Sequence, residues 1–269
     1  MIKMLKKIDF YFKLIMTKLF KRMYLNILLQ KNNFFNFPIY IISFNRLEYL
    51  RQIIEWLKKM GYKNIIIIDN KSTFLPLLDF YEKCDCKVIK MKKNYGYKVF
   101  YKHPRFWFAR TFTFYILTDP DLSVVEECPE NFVELFLNVM RDNLQCVKVG
   151  FSLKIDDIPD DYELKDEVIL WESQFYKKSK LYHGISLYDA EIDTTFSITS
   201  PLIFTPHKPH NPCIRVGYPY VLRHLPWYAL NDSVELKNYR NTVRKDVSNW
   251  NGNISKEHMK KRIQKYMQQ

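Results

Sequence analysis

The side chains best placed for chemistry are the carboxylates of TDPD at 118–121, where Asp119 and Asp121 stand one residue apart after the apolar run TFTFYIL. Two carboxylates so spaced at a strand end reach one divalent cation. Oxygen-only ligation suits Mg2+ or Mn2+, which bridge protein carboxylates to substrate phosphates. Asp-Pro-Asp is equally a turn that needs no ligand. Polar residues also follow two other apolar runs, Ser43, Asn45 and Arg46 after PIYII and Asp69 and Asn70 after NIIII. The 269 residues include only six glycines and contain neither G-x-G-x-x-G nor G-x-x-x-x-G-K-[ST]. Ordinary dinucleotide and P-loop chemistry are therefore disfavoured, and a cation is left to hold any diphosphate.

These residues need a scaffold that brings them to one edge. From Phe37 onward, short β-branched runs alternate with helical patterns, which predicts an α/β fold, a sheet flanked by helices. PIYIIS (38–43), NIIIID (64–69), CKVIKM (86–91) and TFTFYILTD (111–119) are the expected strands. RLEYLRQIIEWLKKMG (46–61) is the expected first helix, closed by Gly61, and FLPLLDFYEK a second, short one. Runs apolar on both faces belong to a buried parallel sheet, and ligands of such sheets bind beyond the carboxyl ends of the strands. Ser43, Asn45, Arg46, Asp69, Asn70, Asp119 and Asp121 all fall there.

The order PIYIISFNR, IIIIDNKST, KKNYG, YILTDPDLS resembles a GT-A glycosyltransferase of the family 2 type, over roughly residues 37–230. The resemblance implies a nucleotide-sugar-binding sheet and a nucleotide-sugar donor, with inverting transfer to a glycan or lipid-linked acceptor. It implies that Ser43, Asn45 and Arg46 line the nucleoside pocket and that Asp69 contacts base or ribose. Asp121 becomes the main ligand of Mn2+ or Mg2+, and Asp119 faces the ribose or a metal-bound water. CPENF, KVGFSLKIDDIPD, EIDTTFSI and VLRHLPWY further resemble a bacterial subgroup associated with surface polysaccharide synthesis. One departure stands out: bulky FWFARTFTF replaces the usual small residue before the Asp-x-Asp strand.

Inverting transfer requires a base on the acceptor side to take the hydroxyl proton. By the same resemblance this is Asp193 in EIDTTF, whose other reading is a turn at a strand edge. Asp156 and Asp157 compete with it but sit in an acidic turn, KIDDIPD. His224 in RHLPWY is the histidine placed to complete a metal shell beside the carboxylates, or else a structural one. Arg223 and Arg215 would neutralise a leaving diphosphate. Trp227 and Tyr228 would stack on a sugar or close the core.

Charge concentrates at the ends. Residues 1–31 hold eight basic and one acidic side chain, residues 237–269 nine and two, and the remainder twenty-five and twenty-six. A neutral body argues against a nucleic-acid partner, whose domain would carry its charge on the folded surface, and basic ends argue for an anionic membrane surface. As a helix, residues 2–29 gather Met4, Leu5, Ile8, Tyr11, Phe12, Ile15, Met16, Leu19 and Met23 on one face, with Lys3, Lys6, Lys7, Lys13, Lys18 and Lys21 mostly opposite. Met23 to Gln30, the longest uncharged run there, falls well short of the roughly 20 residues needed to span a bilayer. Five cysteines without a Cys-x-x-Cys pair suit reduced thiols, hence a cytoplasmic protein peripheral on the inner face of the cell membrane. The expected organisation is a basic amphipathic helix over 1–33, a catalytic domain over 37–235 and a basic helical tail over 236–269, with a second helix at Ile254–Tyr266. Two other readings share these features: a sugar-phosphate nucleotidyltransferase, and a peripheral membrane protein without turnover.

Overall fold

The structure, a computed structural model, describes residues 2–205, 212–228 and 233–243, with 257, 260, 261 and 264 beyond, and side chains from residue 11 onward. The elements in chain order are α1 (Ile2–Lys31), β1 (Ile39–Ser43), α2 (Leu47–Lys59), β2 (Ile65–Asp69), α3 (Leu75–Lys83), β3 (Lys87–Lys90), α4 (Val99–Lys102), α5 (Trp107–Phe112) and β4 (Tyr115–Thr118). There follow β5 (Leu122–Val124), α6 (Phe132–Asp142), β6 (Lys148–Leu153), α7 (Lys165–Ser173), β7 (Ser179–Tyr182), β8 (Ile185–Asp189), β9 (Ser197–Thr199), β10 (Cys213–His224) and α8 (Val234–Thr242). The fold is α/β, as expected. Apart from those four residues, the expected helix Ile254–Tyr266 lies outside the described residues.

One mixed sheet runs β3-β2-β1-β4-β9-β6-β10-β8-β7, with β5 paired to β10. β3, β2, β1 and β4 are mutually parallel, in a register that sets Ser43 beside Asp69 and Ile41 beside Thr118. Their carboxyl ends therefore open on one edge. Antiparallel β9 lies between β4 and β6, which brings the segment before it to that edge too. Gly150 of β6 makes this pairing possible, because a Cβ there would lie 2.5 Å from Phe196 O and from Ser197 Cβ.

Both faces of the parallel strands are covered. Ile39, Ile41, Ile65 and Ile67 pack toward α2, while Ile42, Ile66, Ile68 and Tyr115 pack toward Val99, Phe100 and Phe106. Runs of isoleucine follow from two buried faces. Gly61, at φ +85°, ends α2: its N–H bonds Lys58 O at 2.9 Å and that of Tyr62 bonds Leu57 O at 2.9 Å. This is the closure expected of a glycine just past a helix.

Two expectations change. The fourth strand begins at Tyr115, because residues 107–112 form α5, held by Arg110 donating to the Phe100 and His103 carbonyls at 2.8 and 3.0 Å. And α1 packs inward through a face that was expected to be polar. Lys21 is buried and donates to Leu144 O at 3.1 Å and Cys146 O at 2.5 Å, Leu25 is wholly buried, and Tyr24 stacks on Phe114 at 5.4 Å. Phe12, Ile15 and Leu19 stay exposed. No described helix is long and apolar enough to cross a membrane.

Candidate active site

The loop after β1 is set by Asn45, at φ +50°, a conformation Asn tolerates better than most side chains. Its Oδ1 accepts from Thr73 N at 2.7 Å and Phe74 N at 3.0 Å, and its amide donates to Thr242 Oγ1 at 2.8 Å. That turn aims the next residue, Arg46, at the loop after β4. Arg46 Nη1 donates to Asp121 Oδ2, and both side chains are mostly buried. His224 Nε2 stands 3.6 Å from the same oxygen. The histidine is placed by β10, whose end pairs with β5, and by Leu225 N bonding Asp121 O at 2.9 Å. Burial alone would raise the Asp121 carboxyl, but Arg46 and then His224 reverse this and hold it well below the usual carboxylate range.

Asp119 differs. Its Oδ2 accepts the hydroxyl of Thr194 and its N–H donates to Thr194 O at 3.1 Å, tying β4 to the segment before β9. Burial, then the neighbouring Asp121 charge, push its carboxyl well above the ordinary value. Asp193 precedes Thr194 and is exposed, with its backbone carbonyl taking Lys148 Nζ at 2.9 Å. Its charge is felt at Asp119, Tyr101 and Lys148. Burial depresses the Lys148 ammonium, which also stands 5.6 Å from the Tyr101 ring centroid. Asp119, Asp121, Asp193, Arg46 and His224 thus converge at the strand ends.

The other nominated residues are placed differently. Ser43 and Asp69 are buried and share Tyr81, whose hydroxyl lies 3.0 Å from Ser43 Oγ and 3.4 Å from Asp69 Oδ1. Asp69 Oδ1 also accepts from Ser72 N at 2.9 Å. Asn70 braces the KKNYG loop, accepting from Tyr95 N and donating to Gly96 O. With Asn45, these residues are buried and brace the loops at the strand ends, leaving no open side chain there. Arg223 is a correction: Nε and Nη2 both reach Asp157 Oδ2, at 2.7 and 2.5 Å, so neither is turned to a diphosphate. Tyr228 donates to the other oxygen of Asp157 at 2.6 Å, which removes that rival base. Arg215 is locked to Glu172 at 2.7 Å in a buried pair. Trp227 is 1 % exposed and meets His224 edge to face with ring centroids 4.8 Å apart, so it closes the core and has no face for a sugar.

The divalent-cation site fares worse than its residues. Among the described residues no group of three His, Cys, Asp or Glu is set to hold a metal ion. The Arg46 guanidinium already donates to Asp121 Oδ2, one of the two oxygens that a cation would use. As arranged, these side chains do not fit Mn2+ or Mg2+; the resident positive charge is Arg46.

Sequence reasoning missed what covers the site. α8 lies over the β1–α2 junction, with Glu235 Oε2 accepting from Leu47 N at 2.9 Å and Glu48 N at 3.0 Å, and thereby caps α2 from another part of the chain. Tyr239 lays its ring 3.8 Å from the Arg46 guanidinium carbon. Lys148 and Tyr101 were also missed; the one signal for Lys148 is a lysine opening the apolar run VGFSL. No protein-family model matches the chain, and no curated protein matches it.

Proposed function

We propose that the protein is a glycosyltransferase of GT-A type, moving a sugar from a nucleotide-sugar donor to a glycan or lipid-linked acceptor with inversion. The observation that carries the reading is the link between Asp119 and Thr194. It sets exposed Asp193 beside the carboxylates at the carboxyl ends of the parallel strands. The resemblance of SFNR, IDNKST and TDPD supports the same reading.

Asp193 accepts the proton of an acceptor hydroxyl as its oxygen bonds the anomeric carbon. The bond from that carbon to the diphosphate breaks, and the nucleoside diphosphate leaves with the electron pair. Lys148 and, beneath Tyr239, Arg46 are the cations nearest this developing charge. Asp121 holds the Arg46 guanidinium in place, and His224 backs Asp121. No step is routed through a metal.

A second reading, a peripheral membrane protein without turnover, draws on α8, which leaves Arg46 only 4 % exposed beneath Tyr239. In either reading the basic α1 lies on the inner face of a cell membrane. A thermal-shift series with nucleoside diphosphates and nucleotide sugars separates the two. The transferase reading expects at least one compound to raise the melting temperature, since a ligand of the folded state stabilises it. No shift with any of them favours the second reading.

A further inference from the structure

Opposite its packed side, α1 exposes Phe12, Ile15, Leu19 and Met23, with Phe12 at 62 %. The apolar surface does not stop at this helix. α1 and α5 both pack against the 3-10 turn Leu202–Phe204, whose Phe204 ring lies 6.0 Å from Tyr24 and 6.1 Å from Phe114. On that turn Leu202 and Ile203 are about half exposed, and on α5 Trp107 and Phe108 are 54 % and 64 % exposed. Scattered apolar side chains on a surface are ordinary, but a run across three adjoining elements marks an interaction surface.

Charge selects the partner. Residues 10–31 carry four basic side chains besides the buried Lys21 and no acidic ones, residues 86–118 carry eight and none, and residues 197–205 are uncharged. The chain's 29 acidic residues all fall elsewhere. A second copy meeting this face about a two-fold axis would set its cations against their equivalents. An anionic bilayer meets both demands, taking apolar and tryptophan side chains at headgroup depth and attracting the surrounding lysines and arginines.

We propose that α1, α5 and the Leu202–Phe204 turn form one docking face for an anionic lipid bilayer, with Trp107 and Phe108 inserting beside the α1 stripe. This extends the peripheral reading, which stands on the two basic ends, and is independent of the catalytic one. α5 follows shortly after α4, which carries Tyr101, so docking would hold the candidate site close to the lipid surface.

The test is co-sedimentation of the full chain with vesicles of phosphatidylcholine, alone and with phosphatidylglycerol, at low and high salt. The variants are Trp107→Ser with Phe108→Ser, Phe12→Ser with Ile15→Ser, and all four together. All four positions are exposed, and unchanged melting temperatures would establish that folding is intact. Wild type should bind only the anionic vesicles and release at high salt, each pair should weaken binding about tenfold, and the four together should abolish it. Wild-type binding by the Trp107/Phe108 pair overturns the composite face and leaves α1 as the only anchor. Failure of wild type to bind anionic vesicles overturns both. A wild-type dimer that the four changes convert to monomer, with no vesicle binding, reassigns the face to self-association. A donor-binding measurement on the same proteins reports separately on the catalytic reading.

Discussion

Arg46 donates to Asp121 across 75 residues of chain and so joins the loop after β1 to the loop after β4 at the mouth of the sheet. Both partners are mostly buried, so removing one leaves the other charge unpaired. Arg46→Met should cost about 3–5 kcal/mol in a urea titration. Arg46→Lys should recover part of that, because a lysine keeps the charge but lacks the planar fork.

Asp193 is exposed and its carboxylate accepts no hydrogen bond among the described residues, so the fold does not lean on it. Asp193→Asn should leave the melting temperature unchanged and lower sugar transfer about 10²–10⁴-fold, with donor affinity preserved. Asp157→Asn, which loosens Arg223 and Tyr228, should do the reverse.

Glu235 caps α2 from α8, and removing it leaves the Leu47 and Glu48 N–H groups without that acceptor. Glu235→Ala should cost about 1 kcal/mol. Because α8 also covers Arg46, the variant should bind a nucleoside diphosphate with a faster on-rate, measurable by stopped flow.

Burial pulls the Lys21 ammonium down to about 8 from 10.5, against a smaller upward pull from Cys146. Between those two values this group binds more protons in the unfolded chain than in the folded one, so Lys21 by itself contributes a rise in stability with pH from 8 upward. The thiols of Cys86, Cys128, Cys146 and Cys213, pushed up from about 9 by burial, act the opposite way in the same range, and the tyrosine hydroxyls do so at higher pH. The Lys21 contribution should therefore be read as the difference between wild type and Lys21→Met between about 8 and 9.5. Lys21→Met should show a less positive slope of stability against pH than wild type in urea titrations across that window.

α1 belongs to the domain through Lys21 and Leu25. Deleting residues 1–18 should keep the melting temperature, and deleting 1–33 should lower it strongly. Leu25→Ala alone should cost about 2–5 kcal/mol.

Much of the sheet was legible in the sequence. β1 and β2 announce themselves because isoleucine runs meet two buried faces, β3 follows from the short β-branched pair in KVIK, and Gly61 marks the end of α2. The alternation TFTF in 111–114 imitates a strand, yet carbonyls held by Arg110 curl its first residues into α5. α1 misled in a related way. Periodicity counts Lys21 as polar, whereas its partners are carbonyls more than a hundred residues away. The same limit applies at the site. Strand-end logic pointed to Asp119 and Asp121 and the resemblance to Asp193, but neither foresaw the seating of Arg46 on Asp121 or the passage of α8 overhead, both products of long-range packing.

The most direct test of the account is release of nucleoside diphosphate from a panel of nucleotide sugars, with wild type and Asp193→Asn compared side by side in the absence and presence of Mn2+. The account predicts slow release by wild type from at least one donor without added metal, and release at least a hundredfold slower by the variant. No release from any donor under either condition, or equal release by the two proteins, would contradict it.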